Sequence, residues 1–264
     1  MQKSNILYLT NQCNLACEYC YQLADREVSK PYEISQKEIE DFIAEIIERE
    51  GLETTSTVVL FGGEPLLNKY KFFEVLSALE ESTRKTGKKF AISVTTNGLA
   101  FLDTAFYEAY CERISKLQNT FSLEISYDGV GQFRRVSKTG KSYDIQKILN
   151  LFKPQEISIR YTIHAGNYKC CIYDLIKLQG YKKIIVNFYE SELDSLCDIS
   201  QFKEKLQRVT EYLFTRYHTP VCYLNCRLCG GCNFASYNGI NYNGKFVVDG
   251  NAGEFNHFSE RIGK

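Results

Sequence analysis

Seven of the eleven cysteines fall into two groups, Cys13, Cys17 and Cys20 near the start and Cys222, Cys226, Cys229 and Cys232 near the end. A structural zinc site takes four ligands, usually from two paired motifs, whereas the first group offers three thiolates with no nearby fourth cysteine or histidine. On an iron–sulfur cubane, three thiolates leave one iron open to bind and reduce a ligand. That is an arrangement for chemistry. The second group, CxxxCxxCxxC, has enough thiolates for a complete four-cysteine site, and three readings remain open for it: zinc on all four, an iron–sulfur cluster on the same set, or three bound with one left free. Cys111, Cys170, Cys171 and Cys197 are scattered and read as small buried hydrophobes.

The elements that must position these thiols alternate along the chain. Apolar, β-rich runs at Asn5 to Thr10, Thr57 to Phe61, Phe90 to Thr95, Phe121 to Tyr127, Ile157 to His164 and Lys183 to Phe188 read as strands. Helical stretches follow each. The first carries a capping box at Ser35 and Glu38, an apolar face of Ile39, Phe42, Ile43, Ile46 and Ile47, and a stop at Gly51. Further helices read over Lys69 to Thr86, Asp103 to Lys116, Tyr143 to Phe152, Tyr168 to Leu178 and Ser200 to His218. Six βα units predict an α/β fold, a partial (β/α)6 barrel whose functional loops lie at the C-terminal strand ends. After Pro220 the texture changes to the second cysteine group and a hairpin with turn signals at Asn238-Gly239 and Asn243-Gly244. The expected division is a barrel over 1–218 and a small C-terminal cysteine-rich module over 219–264.

Composition excludes other classes. The 264 residues are 44% hydrophobic, and 32 Lys and Arg balance 32 Asp and Glu. Disorder is therefore excluded, and nucleic acid is not the default partner. No window approaches the ~20 apolar residues of a membrane span, so no membrane partner and a cytoplasmic location are expected.

Cys13-Asn14-Leu15-Ala16-Cys17-Glu18-Tyr19-Cys20 resembles the CxxxCxxC signature of the radical S-adenosylmethionine (radical SAM) superfamily, with Tyr19 at the aromatic position before the last cysteine. Further motifs follow in family order. Gly62-Gly63-Glu64-Pro65 ends the second strand, Thr95-Thr96-Asn97-Gly98 the third, and Ser126-Tyr127-Asp128-Gly129 the fourth, with Arg134 and Arg135 beyond it. The resemblance implies a [4Fe-4S] cluster on Cys13, Cys17 and Cys20, with SAM chelating the open iron. The GGEP loop would bind the SAM amino group, its glycines letting backbone approach the ligand and Glu64 accepting from the ammonium. Thr96 and Asn97 would line the SAM site, and Ser126 with Arg134 or Arg135 would hold the carboxylate. Ile163 joins the cofactor-binding set.

Strand alternation puts Ser93 and Thr95, Glu124 and Ser126, and Arg160, Thr162 and His164 on lumen-facing positions. A polar lumen of this kind reads as a binding cavity. His164 taken alone reads as a hydrogen-bonded structural residue. The segment from Cys222 to Asp249 resembles the reduced SPASM or twitch extensions of radical SAM enzymes, although no cysteine follows Cys232. That resemblance implies one auxiliary [4Fe-4S] cluster on Cys222, Cys226, Cys229 and Cys232, with zinc as the alternative. The expected activity is reductive cleavage of SAM to a 5′-deoxyadenosyl radical that abstracts hydrogen from a peptide or protein, served by a reducing partner such as flavodoxin or ferredoxin. A small-molecule substrate, nucleoside or carbohydrate, and a non-catalytic iron–sulfur or zinc protein are the alternatives.

Overall fold

The first helix forms as its local chemistry requires. In the computed structural model α1 spans Gln36–Glu50, with Ser35 as N-cap and the capping box closed by Glu38. The Ser35 N–H donates to Glu38 Oε2 at 2.8 Å. Gly51 ends the helix at φ 70°, where a side chain would be strained. Ile39, Phe42, Ile43 and Ile46 are its buried face. The same logic bounds α2, Lys69–Thr86, between the Asn68 cap and Gly87 in the left-handed region. Asp103 caps α3, Thr104–Ser115.

The structure describes residues 4–20, 22, 30–129, 135, 137, 143–188, 199–219, 221–223, 237–240 and 246–249. Six strands follow the expected βα order: β1 Ser4–Thr10, β2 Ser56–Gly62, β3 Phe90–Thr96, β4 Thr120–Tyr127, β5 Ile157–Ile163 and β6 Lys183–Phe188. Three more, β7 Val221–Tyr223, β8 Tyr237–Ile240 and β9 Phe246–Asp249, extend the sheet. Strand order among the described residues is β7-β6-β5-β4-β3-β2-β1-β8-β9. A sheet with two edges is not a closed barrel, which bears out the open, partial (β/α)6 architecture.

The chain divides into two compact units. The first holds β1 to β3, the start of β4, and the β8–β9 pair. Here β1 pairs in parallel with β2 on one side and with β8 on the other, Ser4 lying opposite Thr57 and Tyr237. Its helices bury an aromatic cluster: Phe72 of α2, Phe106 and Tyr110 of α3, and Phe101, with Phe101 and Tyr110 edge to face at 4.9 Å. Full burial of each such ring stabilises by roughly 1.5–3 kcal/mol. The second unit holds the end of β4 and β5 to β7, with β5–β6 and β6–β7 parallel.

Of the scattered cysteines Cys171 is buried as expected, but Cys111 on an outward position of α3 and Cys170 just before the helix that starts at Cys171 are exposed, and Cys197 lies outside the described residues. Three further local expectations differ from the structure. Asn238-Gly239 is not a turn; both residues lie inside β8, paired with Asn5 and Ile6 of β1 and with Val248 and Val247 of β9. Pairing on both sides outweighs the local turn preference. The helix after β4 is only α4, Ile145–Leu149, because Asp144 caps it late and the N–H groups of Leu151 and Phe152 close three-residue turns onto Ile148 and Leu149. Likewise α5 is only Cys171–Lys177, since Asn167 and Tyr168 both donate to the His164 carbonyl and form turns instead. The last helix, α6, spans Ile199–Tyr217. No helix among the described residues is long and apolar enough to cross a membrane.

Candidate active site

In the first unit, the loops after β1 and β2 are stitched to one another by backbone groups. Gly63 donates to the Thr10 carbonyl and Glu64 to the Gln12 carbonyl, both at 2.8 Å. A Cβ at Gly62 would lie 2.3 Å from Thr10 O, and one at Gly63 2.2 Å from Gln12 O. The close approach these glycines permit is to the chain's own segment leading into Cys13. Pro65 is buried and opens the turn closed by the Leu67 N–H on Glu64 O at 3.0 Å.

Glu64 is 3% exposed. Its Oε1 accepts from the Leu66 N–H at 3.0 Å and the Thr96 hydroxyl at 2.5 Å, and its Oε2 from the Asn97 N–H at 2.8 Å. The carboxylate therefore ties the GGEP loop to the Thr96-Asn97 turn. Asn97 Nδ2 in turn donates to Asn14 Oδ1 at 2.8 Å, next to Cys13.

In the second unit, the end of β4 carries a buried cluster of side chains. The Tyr19 hydroxyl donates to Asp128 Oδ2 and accepts from Arg135 Nη1 at 3.0 Å. Arg135 Nη1 lies 3.9 Å from Asp128 Oδ1, and its Nε donates to the Tyr143 hydroxyl at 3.4 Å. Burial, with Asp128 adding to it and Arg135 opposing, holds the Tyr19 phenol well above its ordinary pKa. Tyr19 also stacks on His164, ring centroids 5.7 Å apart. His164 is fully buried and its Nδ1 accepts from the Gly166 N–H at 3.0 Å. Asn167 Nδ2 bridges the Asp128 and Thr162 carbonyls at 3.2 and 2.8 Å. Gly129, at φ 90°, leaves room for Asp174, whose Oδ2 would lie 2.6 Å from a Cβ there. Ser126 and Ile163 are buried at the same strand ends.

Of the polar strand positions, Glu124 and Arg160 pair at 2.6 Å, so these two charges compensate each other. Sequence reasoning missed Asn14, Asn167, Tyr143 and Asp174. For Asp174 a signal exists: it is an acidic residue on the helix face shared with Cys171 and Leu175. Asn14 and Asn167 lie in loops and carry no such pattern.

Cys13, Cys17 and Cys20 stand outside any disulfide, Cys17 buried and the other two half-buried. Three soft donors on the loop after β1 fit an iron–sulfur cluster with one iron left open and fall one short of a closed zinc site. Among the described residues no group of three or more His, Cys, Asp or Glu side chains is gathered as a metal site. Arg134, Cys226, Cys229 and Cys232 lie outside the described residues, as does the side chain of Cys222, whose backbone belongs to β7.

The sequence matches the radical SAM superfamily over residues 7–178, and the chain belongs to that superfamily of enzymes, whose cofactors are a [4Fe-4S] cluster and SAM. It is 30% identical over 211 residues to the serine-type anaerobic sulfatase-maturating enzyme of Bacteroides thetaiotaomicron, covering 76% of this chain and 45% of that protein. It is 28% identical over 199 residues to a probable GTP 3′,8-cyclase of Pyrococcus abyssi, covering 74% of this chain and 58% of that one. The chain thus spans about half the length of these curated relatives. Its fold is similar to that of anSMEcpe with bound AdoMet and Cp18Cys peptide, with a TM-score of 0.65 at 18% identity over 98% of this chain and 80% of the other.

Proposed function

We propose that the chain reductively cleaves SAM and uses the resulting radical to abstract hydrogen from a peptide or protein substrate. The observation that carries this reading is the CxxxCxxC loop, whose entry is pinned by Gly63 and Glu64 and whose Tyr19 is clamped by Asp128 and Arg135. Cys13, Cys17 and Cys20 would hold the cluster, and the loops carrying Glu64, Thr96 and Asn97 would border the amino group of SAM. Ser126 and Ile163 belong to the same proposed SAM site. Arg135, or Arg134 beside it, would meet the SAM carboxylate. When bound, the cluster supplies the one electron that splits SAM into methionine and a 5′-deoxyadenosyl radical, which becomes 5′-deoxyadenosine on taking a hydrogen atom from substrate.

Similarity to sulfatase-maturating enzymes favours a peptide substrate, and similarity to GTP 3′,8-cyclases favours a small-molecule one as the second reading. Residues 219–264 are proposed as the SPASM- or twitch-like extension, with one auxiliary [4Fe-4S] cluster on Cys222, Cys226, Cys229 and Cys232. The reductant would be a flavodoxin or ferredoxin. Anaerobically reconstituted protein, reduced chemically and given SAM, is expected to release 5′-deoxyadenosine, and the Cys13, Cys17, Cys20→Ala triple variant is expected to release none. Faster release with a sulfatase-derived peptide than with GTP supports the peptide reading, and the reverse order overturns it. About eight irons per chain support two cubanes, whereas about four with stoichiometric zinc overturn the auxiliary cluster.

A further inference from the structure

We propose that Asn97 and Asn14 form a relay that fixes which atom of the Asn14 amide faces the Cys13 sulfur, and that this choice tunes the reduction potential of the cluster Cys13 would ligate. The inference rests on the cluster assignment proposed above. The relay starts from a donor of unambiguous identity. The Leu99 N–H donates to Asn97 at 2.9 Å, so the accepting atom is Oδ1 and the opposite end of that amide is Nδ2. Asn97 Nδ2 donates to Asn14 at 2.8 Å, so the atom of Asn14 that it meets must be Oδ1. That same oxygen lies 3.9 Å from Cys13 Sγ.

The upstream end cannot turn freely. Asn97 is 3% exposed and its backbone N–H is held by Glu64 Oε2 at 2.8 Å. Flipping either amide would place like atoms against each other and break a buried hydrogen bond. A backbone N–H thus dictates, through two side-chain amides, that oxygen and not N–H is turned to the sulfur of Cys13.

A thiol can donate weakly to that oxygen, but an iron-bound thiolate has no proton to give. Hydrogen bonds to cluster sulfurs are among the factors that set the potential, and an N–H donor stabilises the more negatively charged, reduced state. With the amide oxygen facing it, Cys13 lacks this contribution from Asn14. The potential is kept low, which suits a cluster that must pass an electron to SAM. Asn14 and Asn97 are therefore positioning residues, acting on the cluster through Cys13.

The test is an EPR-monitored redox titration of the reconstituted full chain, following the cluster signal that changes on addition of SAM. Asn97→Ala releases the Asn14 amide, which can then turn its N–H to the sulfur, and the midpoint is expected to shift positive. In an Asn14→Ala background the same Asn97→Ala change is expected to shift nothing. Equal shifts in both backgrounds, or none in either, overturn the relay. Asn14→Asp gives an independent reading that leaves Asn97 intact: it still accepts from Asn97 and adds negative charge beside the sulfur, so the midpoint is expected to move negative. A positive shift there also overturns the relay. Wild-type protein that assembles no SAM-responsive cluster overturns the cluster assignment itself and the relay with it, whereas an intact cluster with unmoved midpoints overturns the relay alone.

Discussion

Glu64 and Asp128 are both carboxylates buried at C-terminal strand ends, at 3% and 0% exposure, but they are satisfied in different ways. Glu64 accepts from two backbone N–H groups and one hydroxyl. Asp128 accepts from a phenol, with a guanidinium 3.9 Å away. Backbone donors cannot rotate away, so Glu64 sets the loops after β2 and β3 in one arrangement. Side-chain donors can change partners, so the Tyr19, Asp128 and Arg135 cluster is the less fixed of the two. The first unit supplies a fixed frame, and the second supplies groups that can exchange contacts.

The largest expected effect is on the frame. Gly63→Ala places a methyl 2.2 Å from the Gln12 carbonyl, where only backbone movement can relieve the clash. We expect a loss of about 3 kcal/mol in urea unfolding and reduced iron uptake on reconstitution, because the displaced segment leads directly into Cys13. Stability within about 0.5 kcal/mol of wild type would show that the stitching is not rigid.

Glu64→Gln and Asp128→Asn sharpen the contrast at nearly constant shape. In Glu64→Gln the new amide must turn its NH2 group toward at least one donor, and two of the three donors are backbone N–H groups, so we expect a loss of about 2 kcal/mol. In Asp128→Asn the new amide can keep a hydrogen bond by donating to the Tyr19 oxygen as the hydroxyl rotates, so about 1 kcal/mol is expected. Chemical denaturation of the two variants side by side decides this. Equal losses would abolish the distinction between frame and exchangeable cluster.

Much of the frame is legible in the sequence because its signals are local. The Ser35 and Glu38 capping box, the Gly51 stop, the alternation in β2 and the near-continuous apolar run of β1 are each set within a few residues. The order of cysteine, GGEP, Thr96-Asn97 and Ser126-to-Gly129 segments is equally plain. What the sequence hides is tertiary. Nothing local says that Gly62 and Gly63 meet Thr10 and Gln12, that Asn97 reaches Asn14, or that Gly129 makes room for Asp174. Asn238-Gly239 misleads for the same reason, since its two flanking strands are remote or unread until the sheet assembles.

The smallest effect belongs to a group behind the exchangeable cluster, and it is visible in pH rather than in stability at neutrality. The Tyr161 hydroxyl donates to Asp174 Oδ2 at 3.1 Å, and burial foremost, with Asp174 beside it, pushes the phenol far above its ordinary pKa. Burial raises the Tyr127 phenol as well and pushes the Cys171 thiol up to about 12. The folded chain therefore keeps protons that the unfolded chain releases from about pH 8.5 for cysteine and about pH 10 for tyrosine. Above those values the native state binds more protons than the unfolded state, so stability falls as pH rises. Below them these groups contribute no slope. Tyr161→Phe loses one hydrogen bond, while Cys170 Sγ still lies 3.6 Å from Asp174 Oδ2, so at pH 7 we expect a loss of roughly 0.5–1 kcal/mol. Above pH 10 the variant lacks one retained proton, so its stability should fall less steeply than wild type, by up to about 1.4 kcal/mol per pH unit. Urea midpoints at pH 8 and pH 10.5 measure the difference, and parallel alkaline slopes would show that Tyr161 does not keep its proton in the folded chain.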